Sequence, residues 1–137
     1  MTDTGAYRAA VRLLTASDKT PAELCERLAA KGFDSKEAKE AVEKLEREGF
    51  LNEFAYAKKT VGRLYDAHYG KDYIRAYMIN KKFSEKALDH AESVLARLDF
   101  DLSAKRYYAE LKKTGKTTAQ ALSALYKRGF TDILPPS

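Results

Sequence analysis

The sequence predicts an all-α fold: tandem three-helix repeats, about eight helices in an elongated, curved array of the right-handed type. Three observations predict it. First, the segment Thr20 to Asp34 returns twice, at spacings of 50 and 47 residues counted on Phe33, Phe83 and Phe130. In these copies Leu24 becomes Ile74 and then Ala121 or Leu122, Leu28 becomes Met78 and Leu125, and Lys31 becomes Lys81 and Arg128. Second, helix-start and helix-stop residues flank each apolar stripe. Third, no apolar–polar alternation of strand type occurs, and no Gly/Ser/Pro linker separates the copies. Self-similarity at such a period marks modules that bury an apolar face against their neighbours. Arrays of this kind present long surfaces to partners and seldom enclose a reaction pocket.

The first repeat spans residues 1–49. Tyr7, Ala10, Val11 and Leu14 fall at i, i+3, i+4 and i+7, one face of a helix over Ala6–Ala16. Thr20-Pro21-Ala22-Glu23 joins an N-cap, a first-turn proline and a capping-box glutamate, and Gly32 ends the helix it opens. Phe33-Asp34-x-x-Glu37 starts the third helix, with Ala38, Ala41, Val42 and Leu45 inward and Gly49 as its stop. The second repeat, 50–100, follows the same plan. Phe54, Ala57, Val61, Leu64, Tyr65 and His68 share a face, Lys71–Lys82 turns Ile74 and Met78 inward, and Ser84 caps a helix with Leu88, Ala91 and Leu95. In the third, 101–137, Ala104, Tyr107, Tyr108 and Leu111 form the first stripe, and Thr117 or Thr118 opens a helix that stops at Gly129-Phe130. Pro135 and Pro136 follow Thr131 too closely for a full helix, so this copy is expected to be two helices and a stub.

The chain has 137 residues, 33% of them charged, no Trp, and a net charge of +5. That charge is uneven. Residues 1–50 carry nine Lys/Arg against ten Asp/Glu, residues 51–100 nine against seven, and residues 101–137 seven against three. The basic last third is expected to face phosphates or an acidic protein surface. A single cysteine, Cys25, leaves no intrachain disulfide and suits a reducing cytosol; beside Leu24 it reads as a small buried hydrophobe. The N-terminal stretch is too polar for a signal peptide, and no run approaches the ~18 apolar residues that cross a bilayer. A cytoplasmic protein without membrane contact is expected.

Catalytic constellations do not emerge. His68 and His90 stand 22 residues apart and outside any metal-ligand spacing, and there is no GxxxxGK[ST], GxGxxG or GxSxG. The glutamates of residues 37–48 alternate with Lys36, Lys39, Lys44 and Arg47, as on a solvated helix face. The expectation is a non-enzyme with no cofactor and no metal. Nine tyrosines are many for this length, and Tyr65, Tyr69, Tyr73 and Tyr77 step by four beside Lys71, Arg75, Lys81 and Lys82. Tyrosine with cations anchors protein interfaces and stacks on single-stranded nucleic acid.

The stretches ELCERLAAKGF, GFLNEFAYAKKTVGRLYDAHYGKDYIRAYMINKKF and LSALYKRGF resemble the RecX regulatory proteins over residues 7 to about 134. Asn52-Glu53-x-x-Tyr56-Ala57 is similar to an acidic-x-x-aromatic-Ala signature, with Glu53 where Asp is usual, and Gly70-x-x-x-Ile74 with Met78 to a Gly-x-x-x-Ile-x-x-x-Leu helix. Lys82 replaces the glycine expected before Phe83, and little of the N-terminal extension of many members is present. The resemblance implies a regulator that binds the groove of the RecA–DNA filament and restrains its ATPase and strand-exchange activities. Its partner would be the RecA filament, with DNA itself as a weak, salt-sensitive second partner, and the chain would act as a monomer. The outward cations Lys71, Arg75, Lys81, Lys82, Lys112, Lys113, Lys116, Lys127 and Arg128, with Tyr69 and Tyr73, are the expected contacts. Lys81 and Arg128 are favoured because they recur in register. The alternative is a sequence-independent nucleic-acid-binding helical protein, to which the same cations and tyrosines would belong.

Overall fold

Capping chemistry sets where each helix begins. The computed structural model describes residues 5–131, and these form α1 (Gly5–Ala16), α2 (Pro21–Ala30), α3 (Ser35–Arg47), α4 (Glu53–Asp66), α5 (Lys71–Asn80), α6 (Glu85–Leu95), α7 (Phe100–Lys113) and α8 (Thr118–Lys127), with no strand among them. Thr20 and Glu23 close a reciprocal box ahead of α2, and Thr117 closes another with Gln120 ahead of α8. Asp34, Asn52, Ser84 and Asp99 each accept from the N–H three residues on, at 2.8–3.2 Å. Gly32, Gly49, Gly115 and Gly129 leave helices in the left-handed region, at φ +98, +80, +89 and +92. The stub predicted around Pro135 and Pro136 lies outside the described residues.

Lys82 holds the same left-handed position without being glycine, at φ +65. Such a conformation costs a side-chain-bearing residue about 1–2 kcal/mol. The strain is held by its surroundings: Phe83 next to it is buried, and the Lys82 ammonium pairs with Glu26 of α2.

The helices pack as α1–α3, α4–α6 and the hairpin α7–α8. Two apolar cores result. Leu24, Leu28, Val42 and Leu45 centre the first, which stays within α1–α3 and the following Leu51. The second is continuous through the other two groups, joining Val61, Leu64, Ile74 and Met78 to Phe100, Ala104, Leu125 and Phe130.

The second helices of the groups meet end to end. The buried Thr20 hydroxyl at the start of α2 donates to the Lys81 carbonyl at the end of α5, at 3.0 Å. At the next junction the Gly70 N–H at the start of α5 donates to the Arg128 carbonyl at the end of α8, at 2.7 Å. The two junctions differ in depth. A Cβ on Gly70 would lie 2.4 Å from the Gly129 carbonyl carbon and oxygen, so backbone meets backbone there. The first junction is spaced by the threonine side chain and bordered by Lys59–Asp18 and Lys82–Glu26 ion pairs. The cleft beside it measures about 500 Å3, against about 150 Å3 at its counterpart. The residue opening the next helix explains much of this. Phe100 opens α7, is buried, and packs edge-on to Tyr65 at 5.3 Å, whereas Glu53 opens α4 and turns to the Ser84 N–H and hydroxyl. Apolar seams at both junctions, as the repeat pattern implies, therefore hold only for the second.

Three side chains depart from their sequence stripes. The buried line of α1 runs through Ala6 and Ala10, small enough for close helix approach, and leaves Val11 39% exposed. Phe54 is also exposed and stacks on His90 at 5.1 Å. His68 lies past the end of α4, at φ +63, and stacks on Tyr107 at 5.7 Å across the second junction.

Gly70→Ala is expected to lower stability by about 2–3 kcal/mol, the overpacking range, although φ at Gly70 suits any residue. Gly32→Ala, whose Cβ would meet open space, should cost only about 1 kcal/mol of left-handed strain. Lys82→Gly should leave stability unchanged or slightly higher, the relieved strain offsetting the lost Glu26 pair. Urea midpoints of the three variants check this order.

Candidate partner-binding surface

The predicted contact residues divide into three settings. Tyr69, Tyr73, Lys81 and Arg128 come together, with Tyr77 and Arg63 beside them. Tyr69 stacks on Tyr73 at 4.1 Å and Tyr73 on Tyr77 at 6.4 Å, with interplanar angles of 23° and 25°. Steps of four along α5 and the turn before it place these rings one above another. Cations close both ends of this ladder. At one end the Arg128 guanidinium lies 4.4 Å from the Tyr69 ring and 4.8 Å from Tyr107, and its Nη1 donates to the Ala67 carbonyl at 2.8 Å. At the other, Lys81 Nζ and the Arg63 guanidinium each lie 5.6 Å from the Tyr77 ring, and Arg63 Nη2 donates to the Tyr77 hydroxyl at 3.1 Å.

This arrangement corrects the expectation that Arg128 points outward. It is half-buried between two rings and ties α8 to the end of α4, whereas its counterpart Lys81, also half-buried, meets the single ring of Tyr77. Tyr65, the first of the sequence series, leaves the ladder, and its hydroxyl donates to the Asp99 carbonyl at 2.9 Å. Arg63 and Tyr107 were absent from the sequence-derived set. Arg63 was legible from its place one turn before the α4 terminus, beside the tyrosine steps, but Tyr107 comes from another repeat and only packing reveals it.

Lys112, Lys113, Lys116 and Lys127 form the second setting, all exposed at one end of the α7–α8 hairpin and along α8. Lys116 and Lys127 line one shallow groove of about 410 Å3 with Leu111 and Gln120. Lys112 Nζ reaches the Thr118 hydroxyl at 3.4 Å. Lys113, Lys116 and Lys127 have no carboxylate within ion-pair distance among the described residues.

The third setting is cations already engaged. Arg75 forks onto both oxygens of Glu92 and lies 3.5 Å from Asp72. Lys82 pairs with Glu26. Lys71 Nζ lies 5.6 Å from the Phe100 ring, at the mouth of the second junction.

Titration behaviour elsewhere reflects burial. The Cys25 thiol is pushed up by desolvation and then by Glu46 and Glu43, so its thiolate is disfavoured, as for a packed residue. Desolvation likewise raises the Tyr56 phenol, with Glu23 adding to it; Tyr56 packs on Phe83 at 5.0 Å. No group of three or more His, Cys, Asp or Glu among the described residues could hold a metal ion, and no described helix is long and apolar enough to cross a membrane.

Comparison with known proteins places this architecture. Residues 6–45, which span α1 to α3, match the family described as RecX, first three-helix domain. The curated Regulatory protein RecX of Trichlorobacter lovleyi is 49% identical over 55 residues, 40% of this chain and 36% of that protein, so the match spans about a third of the relative's length. A solved chain described as the crystal structure of regulatory protein RecX superposes with a TM-score of 0.69 at 19% identity, over 91% of this chain and 65% of that one, a likeness of fold.

Arg128→Ala should lower stability by about 1–3 kcal/mol, since it strips two ring contacts and the hydrogen bond to Ala67. Lys127→Ala, one residue earlier and exposed, should stay within about 0.5 kcal/mol. Chemical unfolding of the pair distinguishes a junction residue from a free surface cation.

Proposed function

We propose that the chain is a RecX-type regulatory protein that acts without catalysis, binding along the RecA–DNA filament and restraining its ATPase, strand exchange and filament growth. The observation that carries this reading is the end-to-end run of α2, α5 and α8. It brings cations and tyrosines from successive groups to one surface and leaves a free basic hairpin beyond it. We take the three helix groups as its domains, residues 1–49, 50–100 and 101–137. Several weak contacts on successive subunits of a polymer add up to useful affinity because each later contact forms intramolecularly. Such a protein stabilises whichever filament state it binds best, and slower ATP turnover follows if that state is less active. Cytoplasmic action as a monomer goes with this role.

Within the surface the roles divide. Lys112, Lys113, Lys116 and Lys127 are free to meet carboxylates or phosphates, and Lys81 stands at the open end of the tyrosine ladder. Tyr69, Tyr73 and Arg128 shape that ladder. Arg75, Lys82 and Lys71 contribute less, because binding must first break or compete with contacts they already make.

A second reading, direct binding of nucleic acid without sequence preference, draws on the same tyrosines and lysines. The ladder weakens it: Tyr73 is covered on both faces by Tyr69 and Tyr77, so it offers a base its edge rather than a stacking platform.

Added to RecA on single-stranded DNA, the protein should slow ATP hydrolysis, and unchanged turnover at saturating protein would overturn the filament reading. The triple variant Lys112→Glu, Lys116→Glu, Lys127→Glu should bind filaments about tenfold or more weakly while keeping its helical circular dichroism. Binding to bare DNA, if it carries function, should fall by roughly 0.7–0.9 log units per phosphate contact for each tenfold rise in salt. Undetectable binding to bare DNA alongside filament binding rules that second reading out.

A further inference from the structure

We propose that an open groove on the outer flank of α1 docks an acidic, phenylalanine-bearing segment of a partner protein. The groove measures about 610 Å3 and is lined by Leu14 and Leu45, with Val11, Phe50, Arg8 and Arg12 around it. Val11 is 39% and Phe50 69% exposed, the latter high for so large an apolar side chain. No described carboxylate lines the groove itself; Glu48 stands behind Tyr7, whose hydroxyl donates to it at 2.7 Å. Arg8 and Arg12 stand one helical turn apart, both exposed, and neither has an ion-pair partner among the described residues. Apolar walls flanked by two unpaired arginines suit an apolar anchor carried among carboxylates.

The chain itself displays such an occupant elsewhere. Aligned on the ends of α1 and α4, Val11, Leu14 and Thr15 correspond to Val61, Leu64 and Tyr65. Val61 and Leu64 are buried, in one cluster with Leu95 and Phe100. Phe100 packs edge-on to Tyr65, lies between Asp99 and Asp101 in sequence, and carries the Lys71 ammonium over its ring. An Asp-Phe-Asp segment at a helix start thus closes this face at the second junction. At the first junction the corresponding helix opens on Glu53, which turns away to Ser84, and Phe50, 50 residues before Phe100, lines the groove but stays 69% exposed. The same module face thus has its aromatic largely exposed instead of buried, and two arginines border the space left open. A second copy of this chain is a poor donor of the filler, because its Phe100 is only 6% exposed. The groove lies on the first helix group, apart from the basic α7–α8 hairpin, and the proposal needs no filament.

The test is fluorescence anisotropy of the full chain with a short labelled peptide that begins Asp-Phe-Asp and continues as an acidic amphipathic helix. It should bind, and replacing its phenylalanine by alanine should weaken binding about tenfold or more. Arg8→Glu with Arg12→Glu should weaken it by a similar factor, and Phe50→Ala by less, all with unchanged helical circular dichroism, since these side chains are exposed. No binding at millimolar peptide, equal binding of a Lys-Phe-Lys counterpart, or indifference to the arginine reversals would each overturn the proposal. A concentration-dependent dimer in sedimentation, abolished by Phe50→Asp, would assign the groove to a second copy and overturn it as well.

Discussion

A hydrogen bond between the start of one helix and the last carbonyl of another organises this molecule. Helix ends leave N–H and C=O groups without partners, and burying such a group unpaired costs about 1–3 kcal/mol. At each junction the carbonyl at one helix end finds its donor at the start of another helix, the Thr20 hydroxyl for Lys81 and the Gly70 N–H for Arg128. This contact brings α2, α5 and α8 into line and sets which residues share a surface. The sandwiched Arg128 and the clefts beside the junctions follow from it.

The same device is used at two tightnesses. With glycine on both sides the backbones touch, and a common apolar core forms across the second junction. With threonine at the start and lysine past the end, the first junction is wider and is bordered by ion pairs that contribute little at exposed sites. The lysine in the glycine position is understandable in that light. Gly129 is needed both for its backbone conformation and because a Cβ would strike Tyr73, at 2.5 Å from its nitrogen. Lys82 meets the first demand at a cost, and the threonine-spaced junction that it borders is the wider one. The molecule therefore combines two groups that share an apolar core with a first group that keeps its own core and meets them through a polar junction.

Cation placement follows from the same asymmetry. Residues at the end of the second helix recur as Lys31, Lys81 and Arg128, which on sequence alone look equivalent. Packing separates them: Lys81 sits at a half-open ladder end, and Arg128 is enclosed by rings from α7 and from the loop before α5. An arginine there suits the geometry, because a flat guanidinium stacks on two faces at once while still donating in its own plane.

How much was legible in the sequence depends on the range of the interaction concerned. Caps, stops and apolar stripes are local, so Thr20, Asp34, Ser84, Thr117 and the terminal glycines reported their helices by residue type alone. The tyrosine steps were visible for the same reason, since residues four apart on a helix are neighbours whatever surrounds them. The rotation of α1 that buries Ala6 and exposes Val11, the enclosure of Arg128, the pairing of Lys82 with Glu26 and the polar character of the first junction were decided by tertiary structure. Each depends on which residue from a distant repeat arrives opposite, and a periodic pattern describes one helix at a time. Composition and order along the chain therefore determined a family of similar modules, and only the distances between their ends determined how each one differs.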